Sequence, residues 1–214
     1  ATIGYANYDT LSGQFYVSTP ITDKLSWNLA YGGSDQGEGW GNSISTGQDI
    51  YLEEFSTVRS KLLWEPTSTT TVKLVGFYAY SKGNIGMTTD RHTGSYGSTA
   101  GVPLPGYPDP QILLPSLADV PGDNFYNTWQ NVPQSQREEG HGGSLRIDQE
   151  TDFADLVSIT AFRNSESLSV NDSDFSPQDF LIVTLSGIDD QVTQEFQIKS
   201  KADSAINWIL GAYY

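Results

Sequence analysis

The chain has no cysteine and one methionine, Met87, among 214 residues. Without thiols there is no disulfide, no thiolate metal site and no cysteine nucleophile. Basic residues are scarce. Lys and Arg number 11 against 26 Asp and Glu, which leaves a net charge of −15 and a pI near 4.2. So acidic a chain repels phosphates, and nucleic acid is set aside as a partner. No apolar run approaches the roughly 20 residues of a membrane helix, so any contact with a bilayer is made by strands or at the surface. The sequence opens at Ala1 without the charged-then-apolar pattern of a secretory leader, as expected of a processed protein or a fragment.

Aromatics, by contrast, are plentiful. They reach 12%, with 12 tyrosines, although hydrophobic residues are only 37%. That balance suits strands with one apolar, aromatic-rich face and one polar face. Period-two alternation recurs along the chain, while helical periodicity is weak. Leu25, Trp27, Leu29 and Tyr31 alternate with Ser26, Asn28 and Ala30. Val58, Leu62 and Trp64 share a parity; Arg59 and Lys61 take the other. Val72, Leu74, Tyr78 and Tyr80 form one face. Leu145 and Ile147 oppose Arg146 and Asp148, and Val157, Ile159 and Ala161 are read as the apolar parity against Ser158, Thr160 and Phe162. Val192, Phe196 and Ile198 oppose Glu195, Gln197 and Lys199, and Trp208, Leu210, Ala212 and Tyr214 close the chain on one parity. The pattern predicts nine antiparallel strands near 1–7, 11–19, 24–34, 55–64, 70–82, 139–149, 155–168, 190–200 and 205–214. Most are about ten residues long, the length a tilted strand needs to cross a bilayer.

Turn-rich short connections at 19–23, 65–69, 150–154 and 201–204 alternate with long ones near 35–54, 83–138 and 169–189. The tight link from Asn7 to Thr10 is the exception on the long side. A soluble meander has no physical reason to sort its loops by end; a transmembrane barrel does. Trp27, Trp64 and Trp208 each lie near a short turn on the apolar parity, which reads as one aromatic girdle, against the alternative of three core tryptophans of a sandwich. The 83–138 segment holds seven of the ten prolines, among them Pro103, Pro105, Pro108, Pro110 and Pro115. That suits a loop over a barrel mouth better than one inside a compact domain.

These residues resemble a family. Asn7-Tyr8-Asp9-Thr10-Leu11-Ser12-Gly13, followed by Pro20-Ile21-Thr22-Asp23-Lys24-Leu25, looks like the start of the barrel in TonB-dependent receptors. Val58 to Pro66 resembles the family's following strand and turn, and Leu156 to Arg163 a later strand. Gln194-Glu195-Phe196-Gln197-Ile198 and Trp208 to Tyr214 resemble a further strand and its return. The likeness covers the chain outside the long loops. It implies an all-β fold: antiparallel, up-and-down transmembrane strands, about nine of a larger, 22-stranded barrel, with residues 1–214 as a partial barrel domain. It implies the Gram-negative outer membrane, outer-membrane lipid as surroundings, and a small-molecule or oligosaccharide ligand. It also implies energy from the TonB complex and a plug domain in the full-length parent. No plug and no TonB-contacting segment is read in this sequence. Nine strands leave two open edges, which a bilayer does not tolerate. The chain is therefore expected to be the first part of a barrel and not to transport alone.

No phosphate-cradling loop, zinc-protease helix or nucleophile elbow is present. The reading is not an enzyme, without cofactor, and no catalytic, cofactor-binding or metal residue is assigned. His92 and His141 have no metal-ligand spacing and read as solvated. Asn171, Asp172, Asp174 and Asp179 form an oxygen-rich run that lacks the EF-hand spacing and glycine, and it reads as a solvated loop. Arg59, Lys61, Lys73, Arg146 and Lys199 share the polar side. They either hydrate the wall and pair with Asp148 and Glu195, or face acidic groups of a plug. Tyr96, Tyr107, Phe125, Tyr126 and Trp129 either stack on a ligand or pack the loop against its neighbours, so the ligand-binding residues stay unassigned. Two other readings stand beside the receptor: a soluble secreted carbohydrate-binding sandwich, and a passive outer-membrane porin.

Overall fold

The computed structural model describes residues 1–84, 124–128, 130–173 and 181–214. Nine strands form one antiparallel meander: β1 (Thr2–Ala6), β2 (Thr10–Thr22), β3 (Leu25–Gln36), β6 (Glu53–Thr67), β7 (Thr70–Gly83), β8 (Ser135–Glu150), β9 (Ala154–Asp172), β10 (Ile182–Ser200) and β11 (Ile209–Tyr213). Each pairs with its neighbour in this series; among the described residues β4 (Gly41–Asn42) and β5 (Asp49–Ile50), a small hairpin in the 37–52 connection, stand outside the sheet. All nine expected strands are present. β3, β6, β8, β9 and β10 run further toward the long-loop end than the alternation indicates, β2 and β6 also run further at the short-turn end, and β11 begins at Ile209, not near 205. β10 begins at Ile182, not near 190, because Ile182–Asp190 pairs residue for residue with Asn164–Asp172 of β9. That shortens the third long connection to 173–181.

The sheet is a single layer. Among the described residues the buried hydrophobics are Ile50, Ala154 and Val157 alone. A sandwich buries one whole face of each sheet. Among the described residues no second sheet packs on either face of the nine-stranded one, which is not the arrangement of a sandwich.

Register decides which residues share a face. The row Thr19–Trp27–Leu62–Leu74–Leu145–Thr160–Gln194 is one line of directly paired positions, and Leu25–Trp64–Val72–Ile147–Ser158–Phe196–Ala212 is the next. This apolar face carries Trp27, Trp64 and Trp208 near the short-turn ends. Toward the other end it carries Phe15, Tyr31, Tyr78, Tyr80 and Phe162, with Phe15 and Tyr31 stacked at 5.6 Å between centroids. The face thus has two aromatic belts, one more than the sequence pattern suggested.

The assignment of β9 is corrected. Val157, Ile159 and Ala161 pair with Asp148, Arg146 and Ser144 and lie on the polar face, whereas Ser158, Thr160 and Phe162 lie on the apolar one. Both parities of β9 carry apolar residues, so alternation alone does not tell them apart.

Between the two belts the apolar face bears no formal charge. The windows run over 56–64 on β6, 70–80 on β7, 141–149 on β8, 156–164 on β9 and 192–200 on β10. Each is about nine to eleven residues, the length of a tilted membrane-crossing strand. At the same heights the opposite face carries Arg59, Lys61, Lys73, Arg146, Arg163, Glu195 and Lys199.

Polar groups on the apolar face satisfy one another. Trp27 Nε1 donates to Ser60 Oγ at 2.8 Å. Thr160 Oγ1 donates to Gln194 Oε1 at 2.5 Å, and Gln194 Nε2 donates to Ser158 Oγ at 3.1 Å. Away from water each unmet donor is costly. Ser60→Ala should therefore cost about 1 kcal/mol through the orphaned indole N–H. The shift of the urea midpoint in detergent or lipid measures it; Trp27→Phe in the Ser60→Ala background should then add little.

Candidate ligand-facing site at the loop end

Three connections meet at the long-loop end. The first is the link Asn7 to Thr10, where Tyr8 (φ 61°) and Asp9 (φ 50°) are both left-handed. The paired Ala6 and Thr10 enclose a three-residue hairpin loop, Asn7–Asp9, and left-handed residues in such loops are usually glycine or asparagine. The second is 37–52, and the third is the described part of 84–134. Tyr51, at φ 63°, is also left-handed. Bulky residues hold such angles only where their surroundings impose them, at about 1–3 kcal/mol each.

Their rings meet. Trp40 stacks on Tyr51 at 5.8 Å and 10°, and Tyr126 sets its edge to both, at 5.9 and 5.6 Å. Tyr8 lies 6.2 Å from Trp40, and Phe125 5.6 Å from Tyr126. Tyr8, Phe125 and Tyr126 keep exposed faces.

The scaffold behind the rings is polar and buried. Ser43 and Thr128 form a parallel bridge and are buried, as is Gln130. Ile44 N donates to Thr128 O at 2.8 Å, Thr128 N to Asn42 O at 3.1 Å, and Asn42 N to Asn127 Oδ1 at 2.9 Å. Ser43 Oγ donates to Gln130 O. Asn124 Nδ2 donates to Trp40 O at 2.7 Å, and Gln36 Nε2 to Tyr51 O at 2.8 Å. Gly41 lies so close to Tyr126 that a Cβ there would come within 2.5 Å of the Tyr126 carbonyl oxygen. Only glycine lets the two loops approach this closely.

Asp172 ties in the third long connection. It is 1% exposed, and its Oδ2 accepts from Asn131 N at 2.9 Å and Val132 N at 3.4 Å. The expectation of a solvated residue is corrected here, because the carboxylate is consumed by backbone donors that have no strand partner. Asn171 Nδ2 donates to Ser169 Oγ at 2.9 Å. Asp174 and Asp179 lie outside the described residues, as do His92, Tyr96, Tyr107, Trp129 and the five prolines named above. His141 sits within β8 on the apolar face, 6.1 Å from the Phe162 ring. Among the described residues no three His, Cys, Asp or Glu side chains converge on a metal position.

Phe125 and Tyr126 contact neighbouring loop rings and also keep exposed faces, so both readings left open for them stand. Tyr8, Trp40 and Tyr51, with which they pack, were not singled out by sequence reasoning. The one local signal was the glycine-flanked run Gly37-Glu38-Gly39-Trp40-Gly41, where a tryptophan sits in a chain built for close approach. A cleft of about 570 Å³ adjoins the cluster, bordered by Asp35, Gln36, Asp49, Glu53, Glu54, Lys82 and Gln134.

The five polar-face cations share one face as expected, joined by Arg163. Arg146 forms a forked pair with Asp148, at 2.6 to 3.0 Å. Lys73 is directly opposite Arg146, a like-charge neighbour. Arg59, Lys61, Lys73 and Lys199 carry no side-chain hydrogen bond or ion pair to a described residue. At the short-turn end Lys201 Nζ meets Asp155 Oδ1 at 2.5 Å, and the carboxylate holds this ammonium above the ordinary lysine value.

No protein-family model and no curated protein matches the chain. A solved structure does: the ferric yersiniabactin uptake receptor FyuA from Yersinia pestis, at a TM-score of 0.63 and 16% identity over 97% of this chain. The fold is that of part of that protein's β-barrel. The chain spans 28% of that receptor's length. At this identity the likeness concerns the fold and leaves the ligand of this wall open.

Proposed function

We propose that this chain is part of the barrel of an outer-membrane receptor for energy-dependent uptake of a scarce nutrient such as a siderophore, vitamin or oligosaccharide. One observation carries the reading. Every charged strand residue between the two aromatic belts points to the same side, and the opposite side is apolar and uncovered along its length. In water such a face is an aggregation hazard; in a bilayer it is the surface lipid requires. The polar face then lines the lumen, where Arg59, Lys61 and Lys73 are hydrated or meet a plug. The aromatic cluster stands at the extracellular mouth, where loops on a rigid wall contact ligand. The sequence resemblance to TonB-dependent receptors and the fold likeness to a siderophore receptor both support this reading.

The full-length gene product should fractionate with the outer membrane and migrate as a heat-modifiable, detergent-extracted barrel. Nutrient uptake dependent on it should stop when a protonophore collapses the inner-membrane gradient. A soluble product in plain buffer overturns the membrane reading. Uptake indifferent to the protonophore replaces the receptor with a passive pore.

A further inference from the structure

The loop-end cluster has a chemistry of its own. Four rings, Tyr8, Trp40, Tyr51 and Tyr126, are brought together from three connections and held by side-chain amide hydrogen bonds to the backbone of Trp40 and Tyr51. Carboxylates adjoin them. Asp9 follows Tyr8 directly, and its Oδ1 accepts from Tyr5 Oη at 2.5 Å. Glu38 N donates to Tyr8 O at 3.1 Å, and the exposed Glu38 side chain has no partner among the described residues. Asp49 lies beside the rings through Gly39 N and Asn42 Nδ2 and also borders the cleft, together with Asp35 and Glu53. The cation on the cleft border, Lys82, is directly opposite Glu54. The described surface here is therefore the exposed rings of Tyr8 and Tyr126 around the half-buried Trp40–Tyr51 stack, set in a negative field.

A planar apolar ligand uses the rings alone; a neutral sugar stacks on the rings and donates hydroxyls to single carboxylates but gains nothing from their summed negative field. A compact metal ion needs three or more converging oxygens, and the described residues offer no such convergence. An organic cation uses both features. Its diffuse charge is attracted to the ring faces, above all tryptophan, and to nearby carboxylates without requiring them to chelate.

We propose that the Trp40 cluster, with Glu38 and the acid-lined cleft beside it, recognises a ligand bearing an organic ammonium group. This rests on the receptor reading in placing the cluster at an open extracellular mouth, and it names the ligand class of that site. Rigid rings pinned by the loop scaffold lower the ordering cost of binding.

The test uses the full-length protein in detergent or lipid, with choline as the probe and 3,3-dimethylbutan-1-ol, its neutral isostere, as the control. Calorimetry or ligand-observed NMR should show choline binding about tenfold more tightly than the isostere, a preference set by charge over the rings. Trp40→Leu should abolish choline binding. Glu38→Gln, an exposed substitution outside the loop scaffold, should weaken it severalfold and reduce its salt dependence. Heat-modifiability, read on every sample, reports whether the barrel is assembled. An assembled barrel that binds both probes equally, or neither, overturns the cation proposal and leaves the receptor reading intact. A product that never assembles into the membrane overturns both.

Discussion

Leu74→Arg should prevent stable assembly in the membrane, whereas Val75→Glu, one residue along, should be tolerated. Leu74 lies near the middle of the charge-free window of β7, 48% exposed, between Leu62 and Leu145 on the paired strands. An arginine there meets hydrocarbon, at about 2–4 kcal/mol near the midplane. Against a total stability of about 5–15 kcal/mol, that is enough to drain the folded population of a barrel whose stability is modest. Val75 has the same height and the opposite direction. Its direct neighbours are Lys61 and Ser144, so a glutamate gains a cross-strand partner of opposite charge. The readout is the heat-modifiable band in outer-membrane fractions, with urea midpoints where the band survives. If both substitutions are tolerated, the apolar face does not contact lipid. If both are fatal, the wall is packed on both sides.

Asp172→Ala should release the extracellular loops from one another while leaving the barrel assembled. Two backbone donors, Asn131 N and Val132 N, lose a charged and fully buried acceptor. Leaving them unmet costs about 2–4 kcal/mol, since hydrogen bonds to charged groups are the stronger kind and orphaned buried donors lose their whole compensation. The loss is local, because Asp172 is the last residue of β9 and lies beyond the charge-free window. Limited proteolysis should cut within 124–134 many times faster than in the parent protein, and amide exchange in the same stretch should accelerate. Heat-modifiability should be unchanged. If the cleavage rate also stays the same, the loop scaffold is held by the Ser43–Thr128 bridge and its neighbours alone. In that case ring alignment does not depend on the third connection.

The two substitutions probe layers of the molecule that were unequally legible. Strand order, connection lengths and most face assignments follow from period-two alternation. In β3, β6 and β7 one parity holds Trp27, Leu62 and Leu74 while the other holds Asn28, Lys61 and Lys73, and a face that must avoid charge announces itself. β9 defeated that logic. A polar face need only be compatible with water, so it accepts Val157 and Ile159, while the apolar face tolerates Ser158 and Thr160 once Gln194 satisfies them. The upper part of β10 was hidden for a related reason. Gly187, Asp189 and Asp190 look like a turn, yet beyond the apolar window the strand is held by its pairing with β9 and no longer by burial.

The ring cluster was beyond local reading altogether. Its members stand at positions 8, 40, 51 and 126, and only the folded-back loops bring them within ring contact. By itself, then, the sequence determined an all-β wall with one apolar face, short turns at one end and long loops at the other, because alternation and turn chemistry act over neighbouring residues. The tertiary structure decided the register that assigns each ambiguous strand to a side, the second aromatic belt, and the meeting of Tyr8, Trp40, Tyr51 and Tyr126. Those depend on hydrogen bonds between residues far apart in the chain, and no local pattern encodes their partners.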